Sequence, residues 1–304
     1  MLLEDFLEIL REELNLRNIA PSKELVLVHN THNLCFTDEE TIFVKVIGEL
    51  ANTPKYLQKE YVASRSHSDT MEALSSPFEI KLPDNTTTFV SVWKYLPHVN
   101  RDASELNYND GILIGEELKR FYSREPLSPY KFEVSWKIAN RPLILDGSKD
   151  TPLNIRFKYL ALKERIIPNL NSARKKAQME YKVLRHGDPH LQNFLWVDKK
   201  PHLIDLESVK YETIQFDLAC LYQSAVQFHR NIEVFTGIQS SLMENSLLED
   251  DLFYWYVQAR NLSSTSFFSQ YVSSNWDEIE ENLFTIENSI NRRKLATHLN
   301  HLSQ

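Results

Sequence analysis

The chain has 304 residues, 42% of them hydrophobic and 25% charged, a globular composition that excludes disordered and collagen-like classes at a length that favours two cores over one. Lys plus Arg number 34 against 42 Asp plus Glu, a net charge of -8. That is the wrong sign for a surface that neutralises nucleic-acid phosphates or anionic lipid. Cys35 and Cys220 are the two cysteines, too few and too far apart for a disulfide framework or a zinc motif, so free thiols in a reducing compartment are expected. The N-terminus reads MLLEDFLEILREEL, acidic where a signal peptide is basic, and no run approaches the ~18 apolar residues that span a bilayer. The expectation is a soluble, cytoplasmic protein with no nucleic-acid and no membrane partner.

Leu3, Phe6, Leu7, Leu10 and Leu14 recur at three- and four-residue steps, so the chain opens on an amphipathic helix that closes near Pro21. Short β-prone runs follow at Leu25 to His29, Leu34 to Thr37 and Thr41 to Ile47, the last two joined through Asp38, Glu39 and Glu40 as a hairpin. Thr53 and Pro54 suit an N-cap and a first helical position, and Leu57 and Tyr61 supply the apolar face of a helix running to about Leu74. Phe78 to Leu82 and Thr87 to Tyr95 read as two further strands flanking the turn residues Pro83, Asp84 and Asn85. The order β-β-β-α-β-β is complete by Tyr95.

From Pro97 to Asp110 the chain turns polar and irregular. Beyond it the pattern is mainly helical: Ile112 to Phe121, Arg156 to Ile167 stopped by Pro168, Phe216 to Phe228, Leu252 to Arg260 and Ile279 to Leu302. The fold class expected is α+β, with residues 1–95 as a lobe of five antiparallel strands plus a helix and residues 96–304 as a mainly helical lobe. The boundary falls at Tyr95 to His98.

Chemistry concentrates between Arg185 and Ala219, in RHGDPHLQNFLWVDKKPHLIDLESVKYETIQFDLA. Phosphoryl transfer from a nucleotide asks the protein for a carboxylate that aligns the acceptor hydroxyl and for oxygen ligands that hold magnesium on the phosphates. Asp188 on a loop, Asn193 five residues later and Asp205 past a hairpin supply those three groups. A Lys199-Lys200-Pro201 turn folds Asp205 back beside Asn193, so that two hard oxygen ligands meet at one cation.

The segment resembles the aminoglycoside phosphotransferase and choline kinase family, a small-molecule branch of the protein-kinase-like fold. His186, Gly187, Asp188, His190, Asn193, Ile204, Asp205 and Glu207 match its HGD-x-H-x-x-N loop and IDFE-like strand, with Leu206 in place of the usual Phe. The resemblance implies a catalytic Asp188, with Asn193 and Asp205 as magnesium ligands, and Asp217 of Phe216-Asp217-Leu218-Ala219 as an organiser of the loop. It implies the same of the first lobe: Lys45 in the third strand binds nucleotide phosphates, Glu60 in the following helix orients it, and Trp93-Lys94-Tyr95-Leu96-Pro97 is the hinge. There the Lys94 carbonyl and the Leu96 amide would meet the base of ATP or GTP. His29-Asn30-Thr31-His32-Asn33 takes the place of a small Gly- or Ser-rich phosphate loop.

Competing readings attach to the same residues. His186, Asp188 and His190 alternate and would share one face of an extended chain as zinc ligands, and Lys45 alone reads as a surface lysine on a strand. Phe253, Tyr254, Trp255 and Tyr256 are either an aromatic cage for a quaternary ammonium or one buried helix. Cys220 is a small core residue. Thirteen acidic against six basic side chains lie between Leu206 and Gln304, which favours a cationic small-molecule acceptor such as an amino-alcohol or an aminoglycoside-like antibiotic. A solvated acidic face is the alternative, and a non-catalytic nucleotide-binding module of the same fold is the alternative to a kinase.

Overall fold

The computed structural model describes residues 3–30, 34–47, 53–67, 71–124, 151–177, 183–242, 250–271 and 275–302. Its first helix, α1 (Leu3–Leu16), buries Phe6, Leu10 and Leu14 at four-residue steps. They pack on a five-stranded antiparallel sheet built from β1 (Val26–Asn30), β2 (Leu34–Thr37), β3 (Ile42–Ile47), β4 (Phe78–Lys81) and β5 (Thr87–Lys94) in the order β1-β2-β3-β5-β4. Ile42, Val44 and Val46 join that core, so by the two-residue period of a strand Lys45 stands on the opposite face. That face meets α2 (Thr53–His67), which ends seven residues before the expected Leu74. Residues 31–33 of the phosphate-loop segment lie outside the described residues.

The Asp38 turn between β2 and β3 is held by its own carboxylate, which accepts from the backbone N–H groups of Ser22, Glu40, Thr41 and Ile42 at 2.7–3.1 Å. Burial opposes the charge, but these donations and the Thr41 hydroxyl hold the carboxyl well below the usual range. At the same end of the sheet, Tyr95 N donates to Thr41 O at 2.8 Å and the chain leaves β5 for the helical half. It is caught at once: Val99 N donates to Trp196 O at 2.9 Å, and Arg101 forks onto Asp110 with its guanidinium 4.4 Å above the Trp196 ring.

The second half is built on α3 (Tyr108–Ser123), α4 (Leu153–Ala177), α5 (Gln215–Tyr222), α6 (Ile232–Leu242), α7 (Asp251–Tyr271) and α8 (Trp276–Leu302). No helix among the described residues is long and apolar enough to cross a membrane. Two expectations need correction. Pro168 does not end its helix: α4 continues to Ala177, because Leu162, Ile166, Leu170 and Ala173 bury one continuous stripe in the core. That burial outweighs the ~3 kcal/mol that an internal proline costs. The helix α6 adds to the expected elements, since Gly237 and exposed Ile232 and Thr236 blur its apolar period in the sequence. Its glycine serves a close crossing with α3, where a Cβ on Gly237 would come within 2.1 Å of Tyr108 O and one on Gly111 within 2.1 Å of Val234 O.

Candidate active site

The chemistry-bearing loop lies between a two-stranded sheet and a short hairpin. β6 (Val183–Arg185) pairs with β9 (Lys210–Glu212), and β7 (Phe194–Val197) pairs with β8 (Lys200–Leu203). The β7–β8 turn is Asp198-Lys199, one residue earlier than expected, and both residues take positive φ (48° and 64°). That is the two-residue turn whose twist matches the strands. Ile204 N then donates to Asn193 O at 3.0 Å, which sets Asp205 beside the Asn193 loop.

A buried carboxylate shapes the loop. Asp217, at the start of α5 and fully buried, accepts from His186 N at 2.7 Å, Gly187 N at 2.8 Å and Tyr122 OH at 3.0 Å. Gly187 has φ of 94°, and a Cβ there would stand 2.3 Å from Ser208 O. The His186 ring is spoken for: Asp188 N donates to Nδ1 at 3.2 Å, so the ring proton sits on Nε2 and is given to Ile204 O at 2.8 Å. His186, Asp188 and His190 therefore do not make a zinc set. Beneath the loop, Glu212 gathers Arg174, Arg185 and the Tyr256 hydroxyl. Tyr256 is fully buried and Phe253 nearly so, the latter against Tyr222 and Phe235, while Tyr254 and Trp255 are half-buried; the core-packing reading holds for Phe253 and Tyr256.

Lys45 is the point where the two halves meet. Its Nζ lies 2.9 Å from Asp205 Oδ1, 2.9 Å from Glu207 Oε2 and 3.4 Å from Glu60 Oε2. Burial works against the lysine's charge, yet Glu60, Asp205 and Glu207 together raise its pKa well above the ordinary value. Burial raises the Glu60 carboxyl in turn, opposed by Lys45. Asp205 itself has φ of 64° and ψ of 62°, a left-handed conformation that Asp tolerates better than most residues. The surface-lysine reading of Lys45 is thus corrected: it is 7% exposed and sits amid carboxylates.

Asp188 lies on the other side of the Asn193 loop. Asn193 Nδ2 donates to the Asp188 carbonyl at 2.8 Å, which leaves Oδ1 of Asn193 as the atom able to ligate a cation. Asp188 Oδ1 accepts from Arg260 Nη2 at 3.1 Å and from Cys220 Sγ at 3.2 Å, and Oδ2 is 4.0 Å from His190 Nε2. Burial pushes the Asp188 carboxyl up, but Arg260 and His190 prevail and hold it below its ordinary value. Lys94 and Leu96 lie at the end of β5 and just beyond it. The Lys94 ammonium is turned away to Glu72 at 2.9 Å, and Leu96 O accepts from His98 Nδ1 at 2.8 Å. Lys45 pairs with Ser91 and Ile42 with Lys94 in the β3–β5 register, three positions or about 10 Å apart along the strand.

Glu60, Asp205 and Glu207 bring carboxylate oxygens within 4.8 Å of one another. All three oxygens surround the Lys45 ammonium; of them Asp205, together with Oδ1 of Asn193, offers hard oxygen donors of the kind that suit magnesium over softer-ligand metals. Arg260 is the site residue that sequence reasoning missed. It stands 72 residues from Asp188 in a helix whose aromatic run masked it, and no spacing rule links the two. Cys220 is the buried core residue expected, with the added hydrogen bond to Asp188.

Residues 88–238 match the model of the phosphotransferase enzyme family. Comparison with curated protein sequences finds no match. Among solved structures, a choline/ethanolamine kinase family protein from Mesorhizobium loti is similar at 16% identity and a TM-score of 0.64, over 91% of this chain and 92% of that one. The microcompartment-associated aminopropanol kinase is similar at 14% identity and 0.66, over 95% and 98%, and a spectinomycin phosphotransferase at 14% and 0.59, over 92% and 93%. At such identities the likeness is one of fold, and the fold is the two-lobed kinase-like one.

Proposed function

We propose, from the match of residues 88–238 to the phosphotransferase enzyme family, that the chain transfers the γ-phosphoryl group of ATP, or of GTP, to a hydroxyl of a small molecule. The observation that carries the reading is the meeting of Lys45 with Asp205 at 2.9 Å, within one loop of Asp188 and Asn193. Lys45, oriented by Glu60, binds phosphate oxygens. The Lys94 carbonyl and the Leu96 amide hold the base about 10 Å away, a span suited to a nucleotide. Asn193 and Asp205 would hold magnesium, which supplies charge neutralisation on the phosphates. Asp188 accepts the hydrogen bond of the acceptor hydroxyl and receives its proton as the acceptor oxygen closes on phosphorus.

For the acceptor we propose a molecule that also carries a positive nitrogen. Support comes from the net charge of -8 and from exposed Asp277, Glu278, Glu280 and Glu281 on α8. Other carboxylates of this half are engaged internally: Glu212 and Asp217 in the loop scaffold, Asp251 with Arg293, Glu287 with Lys158. The similar proteins named for choline and aminopropanol act on alcohols of this kind.

A coupled assay with MgATP and MgGTP against amino-alcohols, aminoglycosides, macrolides and sugars tests the proposal. Turnover of one acceptor, with a KM that rises with added salt, is the expected result. Nucleotide binding without turnover of any acceptor would replace it with the non-catalytic module, and a neutral or acidic best acceptor would remove the cationic assignment.

A further inference from the structure

Resting on the kinase reading above, we propose that Arg260 is a positioning residue that decides which oxygen of Asp188 meets the acceptor hydroxyl. The Asp188 side chain is 43% exposed and stands on a loop, so its carboxylate needs an outside hold to keep one orientation. Arg260 Nη2 and Cys220 Sγ both donate to the same atom, Oδ1, at 3.1 and 3.2 Å. Oδ2 is left to receive the acceptor.

Arg260 is itself fixed in place. Gln223 gives its Nε2 to Asn261 Oδ1 and Ser264 Oγ, each at 3.0 Å, and this turns its Oε1 to Arg260 Nε at 3.4 Å. Gln223 opens a π-helical stretch, Gln223–Phe228, that continues α5; such widened turns cluster at functional sites. The Phe216 ring completes the seat, with the Arg260 guanidinium 5.5 Å and the Arg185 guanidinium 3.7 Å from its centroid. A planar fork serves Gln223 and Asp188 at once, which the point charge of a lysine does not.

Crystal structures and steady-state kinetics of Arg260→Met, Arg260→Lys and Cys220→Ala test the assignment, with MgATP and the best acceptor of the panel, and with water as acceptor in parallel. In Arg260→Met, Asp188 should leave its single orientation. The kcat for acceptor phosphorylation should fall by about 10- to 100-fold, the cost of misplacing a reacting group, with KM for ATP within about twofold of the parent. ATP hydrolysed per acceptor phosphorylated should rise. Arg260→Lys should recover a minor part of kcat, and Cys220→Ala should show the smaller loss of one weak donor. An Asp188 that keeps its orientation in Arg260→Met, or an unchanged kcat, overturns the proposal. If the Met variant does not fold, the Asp188 orientation in Arg260→Lys decides in its place. A parent that phosphorylates none of the acceptors would refute the kinase reading, while the orientation of Asp188 in the variants still judges this one.

Discussion

Lys45 Nζ and Asp205 Oδ1 stand 2.9 Å apart although 160 residues separate them in the chain. The contact couples the sheet to the β7–β8 hairpin, and it means that a cation taking Asp205 competes with the lysine for one carboxylate. Asp205→Ala should therefore cost magnesium-dependent ATP binding about tenfold or more, since the phosphate charge loses a neutralising ligand. Titration calorimetry with ATP, with and without magnesium, measures it; an unchanged magnesium dependence would shift the ligand role to Glu207.

Asp188→Asn keeps the shape of the side chain and removes the charge proposed to receive the acceptor proton. Transfer should fall by about 10²- to 10⁴-fold, with ATP affinity held within about threefold, because the Asp188 side chain is hydrogen-bonded to Arg260 and Cys220 and, among the described residues, not to Lys45 or its carboxylates. Parent-like turnover in this variant would remove Asp188 from the mechanism.

Asp217→Ala strands three donors at once, His186 N, Gly187 N and Tyr122 OH, in a place closed to water. At about 1–3 kcal/mol for each buried unpaired group, a loss of about 3 kcal/mol or more is expected in urea denaturation. Gly187→Ala should also be destabilising, because its Cβ would meet Ser208 O at 2.3 Å in a left-handed conformation. Either variant at parental stability would mean that the loop is held by something other than this carboxylate and this glycine.

The Asp38 turn should leave a mark on acid stability. Its carboxyl titrates lower in the folded chain than in the unfolded one, where about 3.9 applies. Its contribution is then complete above that value and is lost as pH falls through the folded-state pKa. Asp38→Asn should be less stable than the parent by about 1–3 kcal/mol near neutrality, with the gap closing below about pH 4. Chemical denaturation across that range checks it; a gap that stays constant into strong acid would assign the effect to shape rather than charge.

How much was legible beforehand follows from the range of each interaction. β2 matched its expected span residue for residue, and β3 and β5 to within one, because these strands are buried along most of their length on both faces and read as apolar runs bounded by turn residues. The loop residues Asp188 and Asn193 were readable as candidates because they lie five positions apart in one segment. Asp205 was readable from the hairpin that folds it back beside Asn193, Lys45 and Glu60 came through resemblance, and the contact distances among the three could come from no local pattern. Pro168 was misread because a local rule was applied where the buried stripe of α4 governs. Gly237 hid α6 because its reason lies on a different helix, at Tyr108 and Gly111. Arg260 was invisible for the same cause: its partner is 72 residues away, and the packing of α7 against α5 that brings the two together has no local signature.

The clamp that follows the sheet also bears on motion. Val99 is bonded to Trp196, and Arg101 is locked to Asp110 over the same tryptophan, so the chain from Val99 onward travels with the helical half. Tyr95 is bonded back to Thr41 and travels with the sheet. Any swing of one half against the other must be absorbed by the rotations of Leu96, Pro97 and His98, and Pro97 has φ already fixed. A base seated against Leu96 would occupy the pivot itself, so that nucleotide exchange and the opening of the cleft become a single movement.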